Sequence, residues 1–164
     1  MTILDQFSLV ALLFGLLVGS FLNVVICRLP EDRSIVFPAS HCPTCGSTIR
    51  PYDNIPVISW LLLRGKCRDC KSSISSLYPT IELLTGMLAW LWFLRVFDDP
   101  SDLVRVEKIL GFLCYFAFIA ALIAESYIDI RHYIIPDQLS IYAVPFAVAA
   151  MATLSHLGFA QTFK

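Results

Sequence analysis

Apolar positions along this chain fall into four long runs separated by polar stretches, at about Phe7–Cys27, Tyr78–Phe97, Ile109–Ile128 and Leu139–His156. A membrane-spanning helix needs roughly 20 mostly apolar residues, with about 17 as the lower limit. The first three runs meet that length, and the fourth is shorter and contains Pro145, which a membrane helix tolerates when neighbouring groups satisfy the freed carbonyl. The pattern predicts an all-α integral membrane protein of about four transmembrane helices plus one large polar loop between the first two. Its expected divisions are residues 1–27 (first helix), 28–76 (the loop) and 77–164 (the remaining membrane domain). The first run lacks the basic start and short apolar stretch of a cleaved signal peptide, so it is expected to remain as a span. Gly15 and Gly19 in it form a small-xxx-small pair that lets another helix approach closely.

Composition strengthens this reading. Hydrophobic residues make up 57% of the 164 residues and charged ones 15%, against roughly 25% charged in ordinary globular chains. A soluble domain of this size keeps too much surface exposed to hide so much apolar material. Net charge is −1, and no nucleic-acid partner is expected. Arg28, Arg33, Arg50, Arg64, Lys66, Arg68 and Lys71 all lie in the first loop, while the short amino terminus has no lysine or arginine. Positive residues stay cytoplasmic. The amino terminus is therefore expected outside and the large loop inside. Two further crossings return Asp129 and Asp137 to the loop's side of the membrane. The loop's basic residues can also meet anionic lipid headgroups.

Two chemical features stand out. Cys42-Pro-Thr-Cys45 and Cys67-Arg-Asp-Cys70 are CxxC pairs separated by 21 residues, positions 46–66. Two such pairs suit tetrahedral zinc, and the slightly long connector costs little because loop-closure entropy grows slowly. Iron competes for the same four sulfurs; disulfides do not suit a reducing cytoplasm. Metal binding would contribute folding free energy to a loop with few apolar runs. Cys27 and Cys114 sit in apolar spans as packing residues, and His41 reads as a surface neighbour of the cluster. The second feature is Asp129, at the end of the third span with Glu125 one turn earlier. An ionisable residue beside a span is costly and becomes a functional candidate. Asp137, after Pro136, suits a helix-capping role.

Five blocks follow in order along the chain: Gly19-Ser-Phe-Leu-Asn-Val-Val-Ile-Cys-Arg-Leu-Pro30, Ser40-His-Cys-Pro-Thr-Cys45, the stretch Tyr52 to Cys70, Ile74 to Thr85, and Asp129 with Pro136-Asp137. Together they resemble the prepilin peptidases of type IV pilus and type II secretion systems. The resemblance implies an aspartic endopeptidase that removes the short basic leader of prepilins or pseudopilins at the cytoplasmic face. Many members then N-methylate the new terminus with S-adenosylmethionine. Asp129 matches the first of the family's two catalytic aspartates, and Glu82 matches a position expected to support the site or the packing. Because prepilin leaders are basic, the basic loop is not their expected docking site. The family's second aspartate lies in a Gly-x-Gly-Asp motif, which these 164 residues do not contain. The expectation is therefore an N-terminal portion that does not cleave prepilin by itself. The alternative is a catalytically silent zinc-binding membrane scaffold; a small redox or metal-binding membrane protein is a third reading. Oligomeric state is left open.

Overall fold

A computed structural model describes residues 3–97 and 105–133, with isolated positions between 141 and 152. The predicted fourth span, Pro136 and Asp137 thus lie outside the described residues, apart from those isolated positions. Among the described residues the elements are α1 (Ile3–Arg28), α2 (Ile58–Leu62), α3 (Leu77–Val96) and α4 (Val106–His132), with short 3-10 turns at Leu29–Glu31 and Pro51–Asn54. Among the described residues no strand forms, and two isolated bridges, His41 with Thr48 and Lys66 with Ser73, are the extent of β-structure. Helices α1, α3 and α4 are long and apolar enough to cross a membrane. Helices α1 and α4 run a few residues past their apolar runs, since helical hydrogen bonding continues into polar residues such as Arg28 and Arg131, while α3 matches its run to within one residue at each end.

The seam between α1 and α3 is made of small residues. Ser8, Ala11, Gly15, Gly19, Leu22 and Ile26 form the buried stripe of α1, at helical spacings of three and four. Opposite them lie Glu82, Thr85, Gly86, Ala89 and Phe93 of α3. The approach is close: a Cβ added to Gly15 would fall 2.6 Å from Ala89 Cβ and 2.8 Å from Gly86 Cα, and one added to Gly19 would fall 2.7 Å from Glu82 Cα. The small-xxx-small pair is therefore a packing surface, and the pairing of Gly15 with Ala89 and Gly19 with Glu82 makes the helices antiparallel. Asn23 continues the seam by donating from Nδ2 to the Tyr78 carbonyl at 3.1 Å.

Helix α4 lies across both. Near the loop end, Ile123, Ala124 and Ile128 pack with Leu22, Val25, Ile26 and Ile81; near the other end Phe112 packs with Ala11, Phe93, Val96 and Phe97. Large apolar side chains on the outer faces, among them Leu13, Leu17, Met87 and Leu91, stay exposed. In water that would be untenable. In lipid it is the expected outer surface, because hydrocarbon is as good a solvent for leucine as the protein interior.

Candidate functional site

Helix α1, the polar loop, the start of α3 and the end of α4 converge at one end of the bundle. They enclose a cavity of about 740 Å³ whose walls include Asn23, Arg28, Asp53, Glu82, Arg131 and His132. Two constellations occupy this end.

The first is the cysteine cluster. Each CxxC forms the same knuckle. Cys42 N–H donates to Ser47 O and Gly46 N–H to Cys42 O, both at 2.9 Å. In the second, Cys67 N–H donates to Ser72 O at 2.8 Å and Lys71 N–H to Cys67 O at 3.1 Å. Gly46 and Lys71 hold the matching left-handed position, with φ of 72° and 61°. Glycine adopts that conformation freely and lysine at some cost. The knuckles face each other so that the four sulfurs lie within 4.8 Å of one another. Tetrahedral zinc with Zn–S near 2.3 Å requires sulfurs about 3.8 Å apart, and Cys42 and Cys70 Sγ are 3.8 Å apart. The cluster can hold a metal ion, and its donor set and spacing fit zinc. His41 is not in the group; its Nδ1 lies 3.2 Å from the Ala39 carbonyl oxygen.

The surroundings favour the thiolate at Cys42 and Cys70. Backbone N–H groups of Cys45 and Thr44, with the Ser72 hydroxyl, hold the Cys42 thiol down at about 6. The hydroxyl and N–H of Ser72 lower Cys70 likewise. At Cys67 the N–H groups of Cys70 and Asp69 pull downward, but burial and the neighbouring Cys42 and Cys70 sulfurs outweigh them and raise it. Four sulfurs this close repel as anions, and a bound divalent cation is what would let all four ionise. Ser72 Oγ lies 3.1 Å from Cys70 Sγ and 3.7 Å from Cys42 Sγ, and Ser47 Oγ lies 3.3 Å from Cys45 Sγ. Sequence reading passed over both serines, although the repeated C-x-x-C-x-S spacing was there to be seen.

A polar framework carries the knuckles. Arg68 donates to both Asp53 oxygens, Nε to Oδ2 at 2.7 Å and Nη2 to Oδ1 at 2.5 Å. That guanidinium holds the Asp53 carboxyl below its usual range. Trp60 Nε1 donates to the Ile74 carbonyl at 3.1 Å. The indole also covers Gly65, where a Cβ would fall 2.9 Å from the ring. Arg28, at the end of α1, donates to the Ser34 and Pro38 carbonyls at 2.9 and 2.8 Å, latching the loop where it leaves the helix.

Glu82 fastens the loop to the membrane bundle. Its Oε2 accepts the Val57 N–H at 2.7 Å. Val57 has φ 60° and ψ −51°, and Ile58 N–H reaches back to Pro56 O at 2.5 Å. This is the rare, strained form of γ-turn, on a β-branched residue that resists positive φ. A buried carboxylate thus anchors a strained turn. Its sequence signal was an acid inside an apolar span, which did not reveal the partner.

The second constellation is the end of α4. Asp129 is exposed there, and its carbonyl accepts the Tyr133 N–H at 2.8 Å as the chain leaves the helix with Tyr133 at φ 55°. Its carboxylate makes no hydrogen bond or ion pair among the described residues. One turn earlier, Glu125 Oε1 is buried without a hydrogen-bond partner among the described residues. Arg131 and His132 share the cavity wall with Cys42 and Cys67, so Asp129 and the cysteine loop lie at the same end of the bundle. Cys27 and Cys114 are only half-buried, and Cys27 Sγ lies 3.7 Å from the Tyr78 hydroxyl.

The family model described as the bacterial peptidase A24 N-terminal domain matches residues 13–96. A prepilin leader peptidase/N-methyltransferase of Myxococcus xanthus is 43% identical over 152 residues, covering 93% of this chain and 42% of the relative. A type 4 prepilin-like proteins leader peptide-processing enzyme of Escherichia coli is 40% identical, covering 75% of this chain and 49% of the relative. A prepilin leader peptidase/N-methyltransferase of Bacillus subtilis is 36% identical, covering 84% and 52% respectively. The chain spans about half the length of the curated relatives it matches. No solved structure gives a significant match.

Proposed function

Since the chain belongs to the bacterial prepilin leader peptidase family, we propose that it supplies the zinc-loop half of a membrane aspartic peptidase, with Asp129 as one of two catalytic carboxylates. The observation that carries the reading is the shared location of the cysteine loop and the Asp129 end of α4 around one cavity. That end is assigned to the cytoplasmic face of the bacterial inner membrane, on the basis of the basic loop. In cleavage, one carboxylate takes a proton from water while the other, protonated, polarises the scissile carbonyl. Two close carboxylates separate in pKa because both cannot readily ionise. The second would come from a Gly-x-Gly-Asp helix, which these 164 residues lack. They are therefore not expected to cleave prepilin unaided.

Zinc at Cys42, Cys45, Cys67 and Cys70 has a structural role in this reading, holding the two knuckles together. It takes no part in proton transfer. The substrates are prepilins or pseudopilins with basic leaders. The relatives' second printed activity, N-methyl transfer, would draw its methyl group from S-adenosylmethionine. The cavity beside the zinc loop is the candidate donor site: its volume suits a nucleoside-sized ligand, and its wall combines apolar Ile26, Trp60 and Leu77 with polar Asn23 and Ser73.

A chimera tests the peptidase reading. This chain replaces the matching N-terminal part of the Myxococcus xanthus relative, and prepilin leader removal is followed in membranes. Cleavage by the chimera, its loss in Asp129→Asn, and none by the 164 residues alone are expected. Cleavage that survives Asp129→Asn would remove Asp129 from the mechanism. A correctly inserted, zinc-loaded chimera without activity would favour the scaffold.

A further inference from the structure

Helix α2 presents an apolar stripe that no described residue covers. Ile58, Leu61 and Leu62 lie at i, i+3 and i+4, and Ile55 extends the stripe one turn back. Their exposures are 55%, 60%, 78% and 46%. The opposite side of α2 is engaged: Ser59 Oγ donates to the Tyr52 carbonyl at 2.8 Å and accepts the Ile55 N–H at 3.1 Å, and Trp60 is seated on Gly65. The stripe is thus the outward face of a short, fixed helix.

Its depth is set by the tether to α3. Val57, the residue before α2, is bonded to Glu82, which stands five residues inside α3 from Leu77, about 7.5 Å along the axis at 1.5 Å per residue. Gly19, against the Glu82 Cα, stands eight residues before Cys27, so α1 runs about 12 Å of apolar helix beyond that level. The Glu82 side chain leans back toward the start of α3, so the Val57 amide is held at the loop end of the membrane-spanning helices. The polar loop is thus tied to the bundle immediately before α2 begins. Beyond α2, exposed Arg64 and Lys66 follow within four residues.

We propose that α2 is an interfacial wedge, with Ile55, Ile58, Leu61 and Leu62 buried in the acyl–headgroup boundary of the membrane the bundle spans. Arg64 and Lys66 then meet anionic headgroups. An aliphatic face with a basic edge is the composition that lies in a lipid interface, and each cation near the anionic surface adds attraction. The occupant is lipid because the stripe is purely aliphatic, is edged by Arg64 and Lys66, and follows directly on a residue bonded to a membrane-spanning helix. The inference depends on the membrane spans and the Glu82 tether, and not on peptidase activity.

Position 62 reports the depth directly. The Leu62→Trp chain is reconstituted, zinc-loaded, into vesicles of phosphatidylethanolamine and phosphatidylglycerol. Its added emission is taken as the difference from the unsubstituted chain with its three native tryptophans. The expected added emission is blue-shifted, quenched by lipid brominated near the headgroup, less by lipid brominated deep in the chain, and unaffected by aqueous iodide. Quenching by iodide would place α2 in water and overturn the proposal. Quenching by neither agent would mean that protein covers the stripe, which also overturns it. Ile58→Trp repeats the measurement should Leu62→Trp fail to retain zinc. A third variant, Leu61→Asp with Leu62→Asp, is expected to make the neighbouring Trp60 more accessible to iodide.

Discussion

Replacing Gly15 by alanine tests the helix seam by the sign of the effect. Alanine is the better helix former, by at most about 1 kcal/mol, so at a lipid-facing site the substitution stabilises. At the observed site the new Cβ would lie 2.6 Å from Ala89 Cβ, 2.8 Å from Gly86 Cα and 2.8 Å from Thr85 O. Carbon–carbon contacts settle near 3.5–4.0 Å, so α1 and α3 must separate by about 1 Å locally. Two of the three atoms are backbone and cannot rotate aside. Overpacking costs about 1–3 kcal/mol, and rigid backbone obstacles put this site at about 2–3 kcal/mol, leaving a net loss of about 1–2 kcal/mol, or a 5–30-fold fall in the folded ratio. Gly86→Ala provides the comparison. Its nearest obstacles are the Leu16 side-chain atoms at 2.8 and 2.9 Å, with backbone first met at 3.3 Å. Leucine can change rotamer, so Gly86→Ala is expected near neutrality. Reversible SDS unfolding in mixed micelles, followed by circular dichroism, measures both. A Gly15→Ala chain as stable as the parent or more so would refute the close antiparallel seam.

The other predictions concern the loop. Purified under reducing, chelator-free conditions, the chain should carry about one zinc by elemental analysis; Cys42→Ser should abolish it, and a metal-free parent would reject the site. Ser72→Ala, which removes a hydroxyl from two sulfurs, is expected to keep the site but weaken zinc about 10–100-fold in chelator competition. Glu82→Ala leaves the strained Val57 turn without its acceptor, so limited proteolysis near residues 55–58 should accelerate. Glu82→Gln retains an acceptor oxygen and should largely restore protection; equal rates for the two variants would contradict the tether. Asp53 is held below the ordinary carboxylate range by Arg68. Its contribution is present above the unfolded value of about 3.9 and is lost as pH falls through the lower folded value. The parent should therefore lose its stability advantage over Asp53→Asn only below about pH 4, as read by paired thermal melts.

The membrane class, three spans and the cysteine set were legible in the sequence because lipid and metal both read local composition. Twenty apolar residues in a row need no tertiary partner to favour a bilayer, and two CxxC turns present thiolates wherever they fold. Asp129 also stood out locally, as an acid at the edge of a span. The helix pairing was not legible in the same way. When both faces of a helix are apolar, hydropathy gives no inward stripe, and the seam follows small residues such as Gly15, Gly19 and Ala89, which announce only that something comes close. The Glu82 to Val57 bond joins residues 25 apart in sequence and exists only because α1 and α3 hold the loop against the bundle. Without that bond Glu82 is an unexplained acid in a span, and α2 is a short apolar stretch of loop at no defined depth. Local chemistry thus determined the membrane class and the cysteine set, while antiparallel packing decided which groups share the cavity.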